Sequence, residues 1–145
     1  MTRKPPESLE EQLRMDEGEV LHAYQDSLGY WTIGVGHLID KRRGGGISKK
    51  ISDFILQEDV KGVVSGLNVR WPKFCKLDEV RQAVFISMAF QLGVSGAMQF
   101  KKTLGLVDNN QFEAAAKEML NSAWAKQTPQ RAQRLSQQLA TGEWA

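Results

Sequence analysis

Cysteine is nearly missing from this sequence. The 145 residues include one cysteine, Cys75, so no disulfide can form within the chain, and a single free thiol fits a reducing compartment. That cysteine and the two histidines do not have the spacing of metal ligands. Gly34-Val-Gly36 begins like a dinucleotide-binding motif but lacks the third glycine. The sequence therefore predicts neither a metal nor a cofactor.

An excess of one charge and a long apolar run are also absent. Lysine and arginine number 19 against 17 aspartate and glutamate residues, a net charge of +2, which argues against nucleic acid as a partner. No stretch reaches the roughly 18 apolar residues of a membrane span. The N-terminal segment has no apolar core of the kind that a signal peptide carries. We therefore expect a protein that is made in a cytoplasm and has no stable membrane association.

The apolar residues that are present suffice for one domain. With 41% hydrophobic residues, a chain of this length can bury roughly two thirds of the surface that it exposes when unfolded. The first predicted helix is Leu9–Glu17, because Ser8 and Glu11 form a capping box and Gly18 is a typical helix stop.

The segment after this helix has the pattern of strands and turns. Tyr30–Gly36 alternates with a period of two, which predicts a strand. One side of that strand holds Thr32, Gly34 and Gly36, so it is almost bare of side chains and would let another backbone or a ligand come close. Lys41–Gly46 is predicted to form a polar, flexible turn.

The remainder of the chain is predicted to be helical. Ser48 begins a helix of about twenty residues, Asp78 begins an apolar helix that stops at Gly93, and Thr128 with Pro129 begins the last helix, which Gly142 ends. Shorter helices are predicted at Phe100–Val107, Gln111–Leu120 and Ala123–Gln127. The predicted fold is α+β and mostly α, one domain over 1–145 with a small β-hairpin lobe (18–48), a long linking helix (49–68) and a helical lobe (1–17 plus 69–145).

Three polar residues lie close together in the sequence: Glu17, Asp26 and Thr32. Two carboxylates and a hydroxyl suit cleavage of a glycosidic bond, in which one acid protonates the leaving oxygen while an ionised partner activates water. The dipole of the first helix disfavours a negative charge at Glu17, whereas Asp26 precedes a solvated turn. On spacing alone, however, surface acids without a catalytic role are the favoured interpretation, because most acidic side chains lie on protein surfaces.

Longer motifs make the assignment specific. The segments Leu13-Arg-Met-Asp-Glu-Gly18, Ala23-Tyr-Gln-Asp26 and Gly29-Tyr-Trp-Thr-Ile-Gly-Val-Gly-His-Leu38 resemble those of the phage-type lysozymes, including both intervals between the three polar residues. Further similarity lies at Gln57–Val60, Ile86–Gly93 and Gln127–Arg134. The resemblance extends over residues 9–144 and implies a lysozyme-like, two-lobed fold.

This resemblance also implies residue roles. Glu17 would be the general acid, Asp26 would orient and activate the attacking water, and Thr32 would help to hold that water. The family inverts at the anomeric carbon, which predicts a separation of about 6.5–9.5 Å between the two carboxyl groups.

Six further positions match residues that line the saccharide cleft or support the site. Leu38, Phe90 and Thr103 would line the cleft, Arg131 would pair with Glu17, and His37 would pair with Asp59 to fasten the small lobe to the linking helix. The stretch between His37 and Asp59 is shorter than in the family's best-known member, which predicts a smaller hairpin and a more open cleft.

The resemblance implies an endolysin, a muramidase that hydrolyses the β-1,4 bond between N-acetylmuramic acid and N-acetylglucosamine in peptidoglycan. As a monomer it would reach the periplasmic wall only after a holin permeabilises the membrane. A lytic transglycosylase is the first alternative, but such enzymes lack a water-activating carboxylate, and Asp26 argues against it. A helical module that binds the cell wall or DNA is the second alternative.

Overall fold

A computed structural model describes residues 5–39 and 45–145. The chain forms two compact units, of which the first extends to Ile55 and the second runs from Leu56 to Ala145. Helices predominate, and the described part also contains one small antiparallel sheet. The predicted mostly helical α+β fold is therefore confirmed.

The first unit begins with helix α1, Leu9–Glu17. The Ser8 hydroxyl accepts a hydrogen bond from the Glu11 amide (3.1 Å), and the Glu11 carboxylate reaches back to accept from the Glu7 amide (2.7 Å). These bonds satisfy amides that have no partner within the first turn of a helix. Gly18 ends α1 with φ 76°, a conformation that glycine adopts without a steric penalty. Both predicted ends of the helix are confirmed.

Three short strands follow α1, namely β1 (Val20–Gln25), β2 (Trp31–Gly34) and β3 (His37–Leu38). They pair antiparallel in the order β1-β2-β3. Thr32 lies opposite Tyr24 of β1 and opposite Leu38 of β3. The middle strand thus carries Thr32 between both neighbours, and its side chain is buried.

The predicted strand Tyr30–Gly36 is too long. β2 ends at Gly34, and the chain reverses through Gly34 and Gly36, whose φ angles are 70° and 64°. A tight connection between antiparallel strands needs residues with positive φ, and glycine supplies them at no steric cost. The alternation of glycine with larger residues therefore continues from the strand into the turn that follows it, which is why the prediction is too long. Most of the predicted turn Lys41–Gly46 lies outside the described residues.

Helix α2 spans Lys49–Arg70, and the boundary between the two units falls inside it. The Ser48 hydroxyl accepts from the Ile51 amide at 3.2 Å, so Ser48 begins the helix as predicted. The proposed division into lobes at residues 18–48 and 49–68 stays a prediction.

Five further α-helices make up most of the second unit as described. They are α3 (Glu79–Ala97), α4 (Lys101–Asp108), α5 (Phe112–Leu120), α6 (Ala123–Gln127) and α7 (Pro129–Thr141), and a single 3₁₀ turn (Phe74–Lys76) precedes them. Helix α3 starts after Asp78, whose carboxylate accepts from the Arg81 amide at 3.1 Å. It is interrupted at Gly93, where φ is 78°. The sequence predicts that stop correctly, and one more helical turn follows it.

The hydrophobic core of the second unit is built around α3. Val84, Phe85 and Met88 are completely buried on this helix, and the Trp71 ring packs edge-on against Phe85 with the centroids 4.7 Å apart. Burial of each large apolar side chain contributes about 1.5–3 kcal/mol.

In the described part of the chain, no single helix is long and apolar enough to cross a membrane. Only α3 and α4 taken together have the length and composition, and the chain bends by 106° between them.

Arg81 joins three helices of this unit. Its guanidinium donates to the carbonyl oxygens of Leu139 (2.7 Å) and Ala140 (3.1 Å), in the last turn of α7. It also pairs with Asp78 at 3.2 Å and lies 3.8 Å from the centre of the Phe112 ring of α5. Because the last carbonyls of a helix have no partner within the helix and carry partial negative charge, a cation that donates to them stabilises the helix end.

We predict that Arg81→Met lowers the free energy of unfolding by about 2–3 kcal/mol, because two helix-end carbonyls lose a charged donor and Asp78 loses its partner. Urea unfolding followed by circular dichroism measures this change. Lys61→Met is the matched control: Lys61 pairs with Glu58 on an exposed surface, so its loss should change stability by less than about 0.5 kcal/mol. Equal effects of the two substitutions would contradict the role of Arg81.

Candidate active site

Glu17 projects from the end of α1 with an exposed side chain. Its carboxylate lies beside the turn between β2 and β3: a Cβ atom on Gly36 would be 3.3 Å from Glu17 Oε2. The helix end and the sheet turn together define where this carboxyl group stands. An exposed carboxyl that is held near a backbone turn can reach a substrate and deliver a proton.

Asp26 follows β1 directly and is held by the turn that leads to β2. Its Oδ1 atom accepts from the amides of Leu28 and Tyr30, both at 2.9 Å. The backbone of Asp26 makes two more bonds in this turn, with the Tyr30 carbonyl (2.8 Å) and the Gly29 amide (3.0 Å). Asp side chains that bond to the backbone two residues later are typical of such turns. The other carboxylate oxygen, Oδ2, accepts neither of these two amide bonds. Because Oδ1 is held in place, the direction of Oδ2 is fixed as well.

Thr32 lies on β2 and pairs with Tyr24 of β1. Asp26 comes two residues after Tyr24, so it is the diagonal neighbour of Thr32 across the strand pair, at a typical distance of about 7–8 Å. The side chain is 5% exposed, and its hydroxyl donates to the Tyr30 carbonyl at 3.3 Å. Glu17, Asp26 and Thr32 thus lie on consecutive elements of one unit, and their role as a catalytic set stays a prediction.

Strand β3 carries His37 and Leu38, and both side chains are exposed. Leu38 is opposite Thr32 in the pairing of β2 with β3, so it is the residue of β3 nearest in register to the three polar groups. Asp59 belongs to the second unit and is exposed on α2. The predicted pairing of His37 with Asp59 stays a prediction.

Arg131 is anchored within the second unit by a contact with α3. Its Nη2 atom donates to the Ser87 carbonyl (3.0 Å) and to the Ser87 hydroxyl (2.8 Å). Two bonds to one residue fix the plane of the guanidinium group. The predicted pairing of Arg131 with Glu17 stays a prediction.

Phe90 and Thr103, the two predicted sugar contacts of the second unit, line two different depressions. Phe90 is 45% exposed on α3, which is unusual for a large aromatic side chain on an apolar helix. It lines a recess of about 430 Å³ together with Asp59. Thr103 is 2% exposed and lines a cavity of about 700 Å³.

The larger cavity combines apolar and charged walls. The rings of Phe100 and Trp124 meet edge to face with centroids 5.8 Å apart, and Trp124 Nε1 donates to Gln91 at 3.0 Å. Lys102 of α4 and Glu118 of α5 add opposite charges to the lining. A concave surface that joins aromatic faces with a few polar groups is typical of a site for a polar organic ligand.

The sequence does not predict two contacts that the structure shows at these residues. Gly36 is recognised as a bare position on a strand, but its approach to Glu17 is not predicted. Ser87 has no feature that would point to Arg131, which is 44 residues away in the chain. Among the residues that the structure describes, no cluster of three histidine, cysteine, aspartate or glutamate side chains could hold a metal ion.

Comparison with known proteins places the chain in a family. The family model described as phage lysozyme matches residues 14–140. A probable T4-type lysozyme 1 of Dictyostelium discoideum is 32% identical, over 93% of this chain and 95% of its own length. A probable T4-type lysozyme 2 of the same organism is 30% identical with the same coverage. The pre-baseplate central spike protein Gp5 of Enterobacteria phage T4 is 31% identical over 95% of this chain, which is 28% of that protein.

The family match extends over most of the chain and includes all three polar residues of the first unit. Two relatives of similar length carry the same kind of name. The chain therefore belongs to the phage lysozyme family and is a glycoside hydrolase that cleaves peptidoglycan.

Proposed function

We propose that this lysozyme is an endolysin. It hydrolyses the β-1,4 bond between N-acetylmuramic acid and N-acetylglucosamine with inversion at the anomeric carbon, and lyses the host cell at the end of a phage cycle. The observation that carries the proposal is the pair of acids in the first unit. Glu17 is exposed at a helix end, whereas the Asp26 carboxylate is tied through Oδ1 to two backbone amides.

In the proposed reaction, the two acids have different tasks. Glu17 donates its proton to the glycosidic oxygen as the bond to the anomeric carbon breaks. A water molecule attacks the opposite face of that carbon, and Asp26 accepts its proton. The products are a free hydroxyl on one sugar and a new reducing end on the other, so one water is consumed for each bond that breaks.

The hydrogen bonds of Asp26 favour the role of base. Two amide donors restrict the rotation of the carboxylate, so Oδ2 is held ready to accept from water. Thr32, the diagonal neighbour on β2, places a hydroxyl on the same sheet to help hold that water. Positioning of this kind lowers the entropic cost of a reaction that needs an ordered water molecule.

The remaining assignments concern substrate and support. We propose that Leu38, Phe90 and Thr103 contact the saccharide; partly exposed Phe90 offers an aromatic face for sugar packing, and Thr103 offers a hydroxyl in a cavity. Arg131, already oriented by Ser87, would pair with Glu17. His37 and Asp59 would form a supporting ion pair. The protein acts as a monomer.

We predict that Glu17→Gln lowers the rate of release of reducing muropeptides from purified peptidoglycan by at least about 100-fold, because the amide cannot donate a proton to the leaving oxygen. Mass spectrometry of the products measures both rate and chemistry. Glu10→Gln, which alters an exposed acid on the same helix, is the control and should keep full activity. Products one water lighter would mean transglycosylation and would remove Asp26 from the mechanism.

Inversion has its own test. Proton NMR of a soluble glycan digest should show the α-anomer of the new reducing end before mutarotation equilibrates the two forms, because water attacks the face opposite the departing sugar. The rate of spontaneous mutarotation, measured with a single purified anomer, sets the time window. If the β-anomer came first, the enzyme would be a retaining one.

Access to the wall is the third testable part of the proposal. The enzyme, produced in the cytoplasm of a Gram-negative host, should lyse the culture only when a holin is co-expressed or the inner membrane is permeabilised. Optical density and the distribution of activity between cytoplasmic and periplasmic fractions report this. An Asp26→Asn variant with the same holin controls for damage caused by the holin itself. Active enzyme outside the membrane without a holin would contradict the proposed route.

A further inference from the structure

The turn between β2 and β3 presents bare backbone to the carboxylate of Glu17. Gly36 has φ 64°, and the position that a Cβ atom would take there lies 3.3 Å from Glu17 Oε2, 3.6 Å from its Cβ and 3.7 Å from its Cδ. The Glu17 side chain therefore lies along the space that any residue other than glycine would fill. A Cβ–oxygen contact of 3.3 Å is close enough that one partner would have to move.

Two neighbouring glycines do not have this contact. Gly34, in the same turn, has φ 70°, and Gly18, directly after Glu17, has φ 76°; a Cβ atom on either would meet nothing within 4 Å. The three positions share the backbone conformation that disfavours side chains. Only Gly36 combines that conformation with a contact to the carboxylate of Glu17.

We propose that Gly36 is a positioning residue for the reaction: its missing side chain leaves the space in which the Glu17 carboxyl group stands when it donates its proton. The inference rests on the proposed role of Glu17 as general acid. A methyl group at Gly36 would push the carboxyl away from the turn and exclude water from one side of it. Glu17 is the last residue of α1, so its backbone is held and the side chain must absorb the displacement.

At 3.3 Å the carboxylate would have to give by a few tenths of an ångström, and even this displacement matters for proton transfer. A general acid works within hydrogen-bond reach of the oxygen that it protonates. Because a misplacement of about 1 Å can lower the rate by about 100-fold, roughly a third of that distance should lower it by about fivefold. Substrate binding depends on other residues, so the displacement should reduce the rate of the chemical step while the affinity for the glycan stays nearly the same.

The experiment compares Gly36→Ala with Gly34→Ala on a soluble peptidoglycan fragment. Both substitutions impose the same kind of backbone strain, so both should lower the thermal midpoint to a similar degree. Gly36→Ala should lower kcat by about fivefold with KM changed by less than about twofold, as expected when only the chemical step is affected. Gly34→Ala should keep kcat within about twofold, because its methyl group meets no protein atom within 4 Å.

Asparagine variants separate strain from contact. Asparagine tolerates positive φ better than alanine does, so Gly36→Asn and Gly34→Asn should recover part of the lost stability. If the contact with Glu17 is the cause, Gly36→Asn still loses kcat while Gly34→Asn, like Gly34→Ala, keeps it. If strain is the cause, asparagine restores kcat at both positions, and the proposal is overturned.

The dependence of the rate on the leaving group is a measurement that a purely structural role of Gly36 would not change. An aryl glycoside with a dinitrophenolate leaving group needs little protonation, so Gly36→Ala should keep its activity on this substrate within about twofold while it loses about fivefold on the glycan. Equal losses on both substrates, or equal kcat losses at positions 36 and 34, would overturn the inference. Full activity of Glu17→Gln would instead refute the role of Glu17, so the two failures are distinguishable.

Discussion

The first unit, which holds the two proposed catalytic acids, depends on backbone conformations with positive φ at two turns. Gly18 ends α1 directly after Glu17, and the turn through Gly36 reverses the sheet beside the same carboxylate. If α1 continued, or if the β2–β3 connection carried a side chain at Gly36, the carboxyl group would project elsewhere. The position of the acid is thus determined by where the backbone can turn tightly, and glycine permits both turns without steric cost.

The second acid is positioned in the opposite way. Glu17 has space around it, whereas Asp26 is tied through one oxygen to the amides of Leu28 and Tyr30. A carboxylate that accepts two amide bonds is restricted in its orientation, whereas a carboxyl group at an exposed helix end keeps more rotational freedom. One small unit therefore provides two carboxyl groups in different environments, which the proposed division into acid and base requires.

The second unit contributes a buried core and carries the other proposed site residues. Its core is organised around the buried helix α3, and Arg81 of that helix holds the last turn of α7 through the carbonyls of Leu139 and Ala140. Ser87, on the same helix, orients Arg131. Phe90 and Thr103 open onto recesses of this unit. Residues proposed to contact the glycan or support the acid are therefore carried by helices whose other faces form the core.

Local chemistry in the sequence determined much of this protein. Hydroxyls and carboxylates at Ser8, Ser48 and Asp78 begin helices, glycine at Gly18 ends one, and the spacing of Glu17, Asp26 and Thr32 together with the longer motifs points to the family. Tertiary structure alone decided the rest. The approach of Gly36 to Glu17 and the bond between Ser87 and Arg131 involve residues that are distant in the chain. Their proximity arises from the packing of whole elements, whereas helix capping and hydrophobic periodicity specify only the structure within one helix or strand.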